Sequence, residues 1–300
     1  MIRILGTIFA GLLGLAFGSF LNVCLSRWPT DESIVSPRSH CRSCDHVLSW
    51  WENVPLLSWL ALRGRCRKCR AWIGWRYPLV EAAVGALWGL QMWQLLPWAL
   101  DPDQPASFRY SSLILIMGKM ILCWMLVALA VLDAENLWLP DSITLPGIAL
   151  GFIAIILQAK LNSDAVLSFY GALSEQRRFL YQIAFRWLLG ILAAALLILL
   201  IRWVYWLIRR REGIGLGDAK LMALLAAWLG LPGALLAFGL GVVLGALAAL
   251  VTLAIPSARR GTDGWALQKL PLGTFLCIGG IVSALWGQPI IAAYRHWAGF

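Results

Sequence analysis

Four cysteines in one polar loop have the residue type and the spacing of a metal site. Cys41 and Cys44 form one C-x-x-C pair, and Cys66 and Cys69 form a second pair after 21 intervening residues. Two such pairs can give four thiolates to one Zn²⁺ ion, which then has no position left for a catalytic water. We therefore expect structural zinc in this loop. Two disulfides, a redox function and unligated thiols are the alternatives.

Three aspartates beside apolar segments form the second group that could do chemistry. Asp133 ends one apolar run in the stretch "VLDAENLWLPDS", Asp141 precedes the next run, and Asp218 follows "GIGLG" and opens a third run. Acidic residues near membrane depth are costly, and they therefore tend to be functional. Two adjacent aspartates can share one proton and activate water against a carbonyl group. A helix N-cap is the alternative for Asp218, and an N-cap or a turn is the alternative for Asp141.

The rest of the chain consists mainly of the apolar segments that must position these residues. Of the 300 residues, 60% are apolar and 13% are charged, whereas a soluble domain has about 25% charged residues. This composition predicts an all-α polytopic membrane protein, because helices satisfy their backbone polar groups within lipid. We expect about eight transmembrane helices, with the zinc loop between the first two. The apolar runs are 4–25, 79–98, 111–132, 142–159, 180–207, 219–232, 234–255 and 272–293.

Charge predicts how these segments are oriented. The loop 26–78 holds nine Arg and Lys residues against four Asp and Glu residues, which places it in the cytoplasm and the N-terminus outside. Alternation then puts the junctions 133–141, 208–218 and 256–271 on the cytoplasmic side, so the three aspartates share one membrane face. The net charge of +10 fits this bias. It does not indicate a nucleic-acid partner, because the charge lies in short loops. No internal repeat is apparent.

Together these segments resemble the type IV prepilin peptidases, the bifunctional leader peptidase/N-methyltransferases of bacterial inner membranes. The resemblance covers most of the chain. It rests on four segments: "GSFLNVCLSRWP" (18–29), the cysteine loop (39–81), "LDAENLWLPDSITLP" (132–146) and "GIGLGDAKL" (213–221). The chain departs from the family pattern at Ala219, which is often aromatic, at "LPLGTF" (270–275), where the pattern is nearer "PFGPF", and in a longer segment around 160–180. We expect these departures to affect packing and an outer loop, and to leave the acids intact.

The resemblance implies two activities. One is cleavage of the basic leader of a prepilin or pseudopilin after a glycine, at the cytoplasmic membrane face. The other is methylation of the new N-terminus from S-adenosylmethionine. The family's catalytic pair matches Asp133 and Asp218, with Asp141 in a supporting role. We expect residues 1–110 to be associated with methyl transfer and residues 111–300 to form the peptidase core within the bilayer.

Two finer assignments follow from these expectations. The helix ends favour an ionised Asp218 as the general base, with Lys220 supporting its charge, and a protonated Asp133 that hydrogen-bonds the scissile carbonyl. The site for S-adenosylmethionine has no recognisable glycine-rich motif. Asn22, Arg27 and Glu81 are candidates because they are polar and lie at the expected cytoplasmic ends of the first two spans. Ordinary helix-start chemistry is the alternative for Glu81.

Three other functions are compatible with parts of this pattern. A transporter also uses acids within the membrane and broken helices, but it does not explain the cysteine pairs. A zinc-stabilised scaffold protein would not need the aspartates. A peptidase without the methyltransferase would be expected to lack the cysteine loop, and the "GSFLNV" segment also favours the bifunctional type.

Overall fold

The computed structural model describes residues 1–170, 173–210, 215–254 and 271–299. These residues are mainly helical and form no named strand. Two short 3₁₀ helices, Trp28–Thr30 and Trp50–Asn53, lie in the polar loop. The α-helices are α1 (Ile2–Arg27), α2 (Leu57–Ala61), α3 (Arg76–Ala99), α4 (Ala106–Asn136), α5 (Asp141–Tyr170), α6 (Leu173–Arg209), α7 (Leu216–Ala254) and α8 (Leu272–Trp297).

All of these α-helices except α2 are long and apolar enough to cross a bilayer. Seven such segments occur among the described residues. The apolar side chains that they expose, such as Phe9 on α1 and Val243 on α7, suit contact with lipid. The chain is therefore a multi-pass membrane protein. The predicted class, an all-α polytopic membrane protein, is therefore confirmed, and the apolar runs form α-helices as expected.

Contacts within the chain divide it into two compact units, Met1–Gln104 and Pro105–Phe300. In the first unit, α1 packs against α3 through small residues. A Cβ atom added to Gly14 would lie 2.9 Å from the Cα of Gly85, and one added to Gly18 would lie 2.7 Å from the Cα of Glu81. The two backbones can approach this closely only because these positions carry no side chain. This packing holds the end of α1 beside the start of α3.

In the second unit, α7 is interrupted at Gly230, whose φ of 69° and ψ of 171° are not helical. A straight helix of this length would extend about 58 Å, almost twice the thickness of a bilayer core. The two halves instead lie side by side against α8. A Cβ atom on Gly280 would lie 2.5 Å from Leu225, and one on the neighbouring Gly279 would contact the carbonyl oxygen of Ala237. The chain therefore turns back at Gly230.

This reversal explains why eight apolar runs in the sequence give seven long helices in the structure. The runs predicted at 219–232 and 234–255 are the two halves of α7. The second half runs antiparallel to α8: the hydroxyl of Ser283 donates to the carbonyl of Gly233 at 2.9 Å, and Gly245 faces Phe275. The first half, before Gly230, is shorter than a bilayer core is thick.

Candidate active site

Asp133 lies in the last turn of α4, with its side chain buried. The residue is 6% exposed. The helix ends because Leu137 adopts a left-handed conformation (φ 51°), and its N–H donates to the carbonyl oxygen of Asp133 at 2.9 Å. The sequence placed this acid at the end of a span, and the structure places it there as well.

Asp218 lies in the first turn of α7 and is 8% exposed. Its Oδ2 accepts a hydrogen bond from the backbone N–H of Gly215 at 3.2 Å, just before the helix begins. The side chain therefore reaches back to the N-cap position, as the third residue of a capping box does. It is not itself the N-cap. Nearby, a Cβ atom on Gly217 would lie 3.1 Å from Leu139, so a larger residue would press on the segment that follows α4.

The two aspartates are brought to one site. Leu139 packs against Gly217 on one side and against Gly273 at the start of α8 on another. Leu139 thus links the first turn of α7, which carries Asp218, to the start of α8, where Gly273 faces the Asp133 carboxyl group. Two buried carboxyl groups at one site disfavour joint ionisation, so they can hold one proton between them. The arrangement can supply a base and an acid to one reaction.

The start of α8 belongs to this site, and the sequence analysis missed it. The backbone N–H of Thr274 donates to Oδ2 of Asp133 at 2.6 Å, and the Thr274 hydroxyl lies 3.1 Å from the same oxygen. A Cβ atom on Gly273 would lie 2.9 Å from the Asp133 carboxyl group. Thus the "LGTF" part of "LPLGTF" touches the acid directly. This departure was expected to affect packing and to leave the acids intact; the structure adds a direct hydrogen bond from Thr274 to one of them.

These donors also bear on the expected proton assignment. That assignment considered the C-terminus of α4 alone for Asp133. The structure adds the N-terminus of α8, with Thr274 as a hydrogen-bond donor to the same carboxyl group. Which of the two aspartates holds the proton therefore stays a prediction.

Asp141 is placed differently from the buried pair. It begins α5 and is exposed, and Lys220 of α7 contacts its Oδ1 at 2.5 Å. This ion pair joins the starts of two helices. Lys220 was expected to support the charge of Asp218, but its ammonium group pairs with Asp141 instead. The geometry suits the supporting role expected for Asp141.

The four loop cysteines form one cluster. Their sulfur atoms all lie within 4.8 Å of one another, with Cys41 and Cys69 at 3.7 Å and Cys44 and Cys66 at 4.0 Å. Tetrahedral zinc with bonds of about 2.3 Å requires sulfur atoms about 3.8 Å apart. The cluster can therefore bind a metal ion.

The cluster is built from two copies of one turn, a repeat that the sequence analysis did not detect. In the first turn, Cys41 N–H donates to the carbonyl of His46, and in the second, Cys66 N–H donates to the carbonyl of Ala71, both at 2.9 Å. An isolated bridge flanks each turn, joining His40 to Val47 and Arg65 to Trp72. The segments "HCRSCDHVLSW" and "RCRKCRAWIGW" align without a gap. That alignment was the available signal.

The three candidates for cofactor binding are all buried in the first unit. Asn22 donates from Nδ2 to the carbonyl of Tyr77 at 2.9 Å, and Glu81 accepts at Oε2 from the N–H of Leu56 at 2.8 Å. Arg27 donates from both terminal nitrogens to backbone carbonyls of the following loop, at 2.6 Å each. Its contacts therefore favour a structural role. The bond from Asn22 uses its nitrogen and leaves its one side-chain oxygen, Oδ1, without a partner among the described residues.

Comparisons with known proteins agree on one family. Residues 12–95 match the family model described as the bacterial peptidase A24 N-terminal domain, and residues 120–250 match that of the type IV leader peptidase family. Proteins named prepilin leader peptidase/N-methyltransferase are similar along most of their length. The one from Stutzerimonas stutzeri is 33% identical over 310 residues, covering 96% of this chain and 93% of the relative.

Two further relatives carry the same name. The protein from Pseudomonas aeruginosa is 32% identical over 314 residues, covering 96% of this chain and 93% of the relative. The protein from Myxococcus xanthus is 38% identical over 270 residues, covering 89% of this chain and 68% of the relative. No solved structure matches the chain with statistical significance.

Proposed function

Because the chain belongs to the type IV leader peptidase family, we propose that it cleaves the basic leader of type IV prepilins or pseudopilins and then methylates the new N-terminal residue. The observation that carries the proposal is the buried aspartate pair, in which Asp133 and Asp218 meet at one site from two different helices. Membership of this family disfavours the transporter and scaffold functions.

Cleavage needs one ionised and one protonated carboxyl group. The ionised group removes a proton from water as the water oxygen attacks the scissile carbonyl carbon, and the protonated partner donates to the carbonyl oxygen. When the tetrahedral intermediate collapses, the C–N bond breaks, and the amine leaves with a proton from the pair. We assign the general base to Asp218 and the protonated partner to Asp133.

The glycines before Asp218 give the substrate backbone access to this pair. Gly215 places no side chain beside the Asp218 carboxylate, which a Cβ atom there would meet at 3.6 Å, and Gly217 in the first turn of α7 leaves room for Leu139. Gly213 of the same motif lies outside the described residues. A substrate helix must unwind locally before its peptide bond can be cut, and a stretch without side chains can receive the extended strand.

Zinc and S-adenosylmethionine complete the proposed function. The distances between the cysteine sulfurs fit Zn²⁺, which we assign a structural role in the loop between α1 and α3. S-adenosylmethionine supplies an electrophilic methyl group: the amine nitrogen bonds to the methyl carbon, the carbon–sulfur electron pair stays on sulfur, and one proton leaves the nitrogen. Asn22 and Glu81 fit a cationic group because both offer buried oxygen atoms. We assign methyl transfer to residues 1–110 and cleavage to residues 111–300.

The charge of the loop supports a topology. Its excess of Arg and Lys favours a cytoplasmic loop, and therefore a periplasmic N-terminus, in a bacterial inner membrane. Asp133 and Asp218 then lie at the cytoplasmic face, where the basic leader of a prepilin is located.

The proposal is tested by incubating membranes that contain the protein with a prepilin and methyl-labelled S-adenosylmethionine. We expect a shortened product whose new N-terminal residue carries the label. Membranes without the protein are the control. A shortened but unlabelled product would refute the second activity, and no shortened product would refute the first.

A further inference from the structure

A small cavity in the first unit has an acidic wall. It lies among the end of α1, the cysteine loop and the start of α3, and its volume is about 100 Å³. Glu52, Glu81 and Asn22 lie on its wall, and all three are more than nine-tenths buried. No lysine or arginine is among its lining residues in the described part of the chain. Two buried carboxyl groups without a lining cation call for a cationic partner.

Glu52 has an oxygen atom left without a partner. Its side chain is 1% exposed, and Oε2 accepts a hydrogen bond from the backbone N–H of Ser49 at 2.8 Å and lies 3.3 Å from Nε2 of His46. Oε1 is buried and has no hydrogen-bond partner among the described residues. The hydrogen bond from the Ser49 N–H lowers the pKa of Glu52 below its usual range, which favours the charged form.

Asn22, on α1, also has a buried side-chain oxygen without a partner among the described residues. Its Nδ2 is used by the bond to Tyr77, while Oδ1 is buried and finds no partner within the described residues. A buried acceptor without a donor costs about 1–3 kcal/mol. Two such acceptors on one cavity wall therefore indicate a ligand that donates hydrogen bonds or carries positive charge.

The volumes limit which part of a ligand enters. A cavity of about 100 Å³ holds roughly three water molecules, so it accepts a charged centre with its methyl groups and not a nucleoside. A second cavity of about 470 Å³ adjoins it and shares Ser19, Leu48 and Asn53 with its lining. Trp50 and Phe20 line this larger cavity, which falls in the range of small-molecule sites.

We propose that the smaller cavity binds the cationic centre of the methyl-transfer reaction through Glu52, Glu81 and Asn22, and that the larger cavity holds the rest of the same molecule. The cation is the sulfonium of S-adenosylmethionine or the α-ammonium group of the cleaved substrate. The proposal rests on the proposed methyltransferase function. It adds Glu52, which lies in the cysteine loop but in neither C-x-x-C pair, and which the sequence did not single out.

Binding measurements on the purified full-length protein test this site without relying on turnover. The affinities of S-adenosylmethionine and its neutral product S-adenosylhomocysteine are compared in the wild type and in Glu52→Gln. The same comparison is made for a short substrate peptide with a free or an acetylated N-terminus. Asp31→Asn is the matched control, because Asp31 is an exposed acid of the same unit (φ 54°), where asparagine is tolerated.

We expect Glu52→Gln to lower the affinity for one cationic ligand by tenfold or more, because a charged hydrogen bond is lost. The affinity for the neutral counterpart of that ligand should stay within twofold of the wild-type value. Selective loss of S-adenosylmethionine identifies the sulfonium, and selective loss of the free-amine peptide identifies the ammonium group. Unchanged affinity for all four ligands would overturn the proposal.

Two controls separate the possible failures. Zinc content and leader cleavage by Glu52→Gln report whether the variant folds, and if it does not, the same four measurements on Glu81→Gln decide. If the wild type binds none of the ligands, the proposed methyltransferase function itself fails. If the wild type binds them and both variants bind equally well, only the assignment of the cavity fails.

Discussion

Gly273 offers a precise way to disturb the aspartate pair without touching either acid. A Cβ atom at this position would lie 2.9 Å from Cγ and Oδ2 of Asp133 and 3.1 Å from a methyl group of Leu139. Ordinary contact begins at 3.4 Å. The Asp133 carboxylate cannot move aside freely, because Thr274 holds its Oδ2 through a bond of 2.6 Å. Gly273→Ala therefore moves the acid or breaks this bond.

The size of the effect follows from the overlap. The Asp133 carboxyl group must shift by about half an ångström, and a misplacement of about 1 Å costs about 100-fold in rate. We therefore expect leader cleavage to fall by about tenfold, which corresponds to about 1.4 kcal/mol in the activation free energy.

Initial rates of leader cleavage, measured at equal amounts of protein in membranes, test this prediction. Gly239→Ala is the matched control, because a Cβ atom there meets no atom within 4 Å. We expect the control to cleave at the wild-type rate. Wild-type cleavage by Gly273→Ala, or an equal loss in both variants, would refute the reasoning.

Three further substitutions test other parts of the account. Cys41→Ser should lower the zinc content measured by metal analysis, increase proteolysis of the loop, and reduce methylation more than cleavage; purified wild type without zinc would contradict this. Asp141→Asn breaks an exposed ion pair with Lys220 worth about 1 kcal/mol or less, so cleavage should fall less than about fivefold, and complete loss would show that Asp141 belongs to the catalytic pair. Thr274→Val keeps the backbone donor to Asp133 and removes the hydroxyl, so leader cleavage should fall less than in Gly273→Ala, and a larger loss would assign the hydroxyl a direct role.

The sequence was sufficient where chemistry depends on local spacing. The C-x-x-C pairs predicted a cysteine cluster, because each pair is a short turn and the loop needs only to bring two turns together. The boundary between the apolar runs 219–232 and 234–255 likewise predicted a break near the one in α7, where Gly230 has a positive φ that other residues rarely adopt.

The sequence was insufficient where a contact joins distant segments. Thr274 and Asp133 are 141 residues apart, and no local pattern links them. Glu52 gave no signal because an acid in a polar loop is usually exposed, and only the packing of α1, α3 and the loop buries it. The order of charged residues along the sequence also could not show that Lys220 pairs with Asp141, because the two residues lie 79 positions apart.

The most direct test of the central claim is leader cleavage by Asp133→Asn and Asp218→Asn, with Asp141→Asn in parallel. Each variant is assayed in membranes after immunoblotting shows that it accumulates to the wild-type level. The account predicts no detectable cleavage by either of the first two variants, because each removes one carboxyl group of the pair, and retained cleavage by the third. Substantial cleavage by Asp133→Asn or Asp218→Asn would contradict the assignment of the catalytic pair.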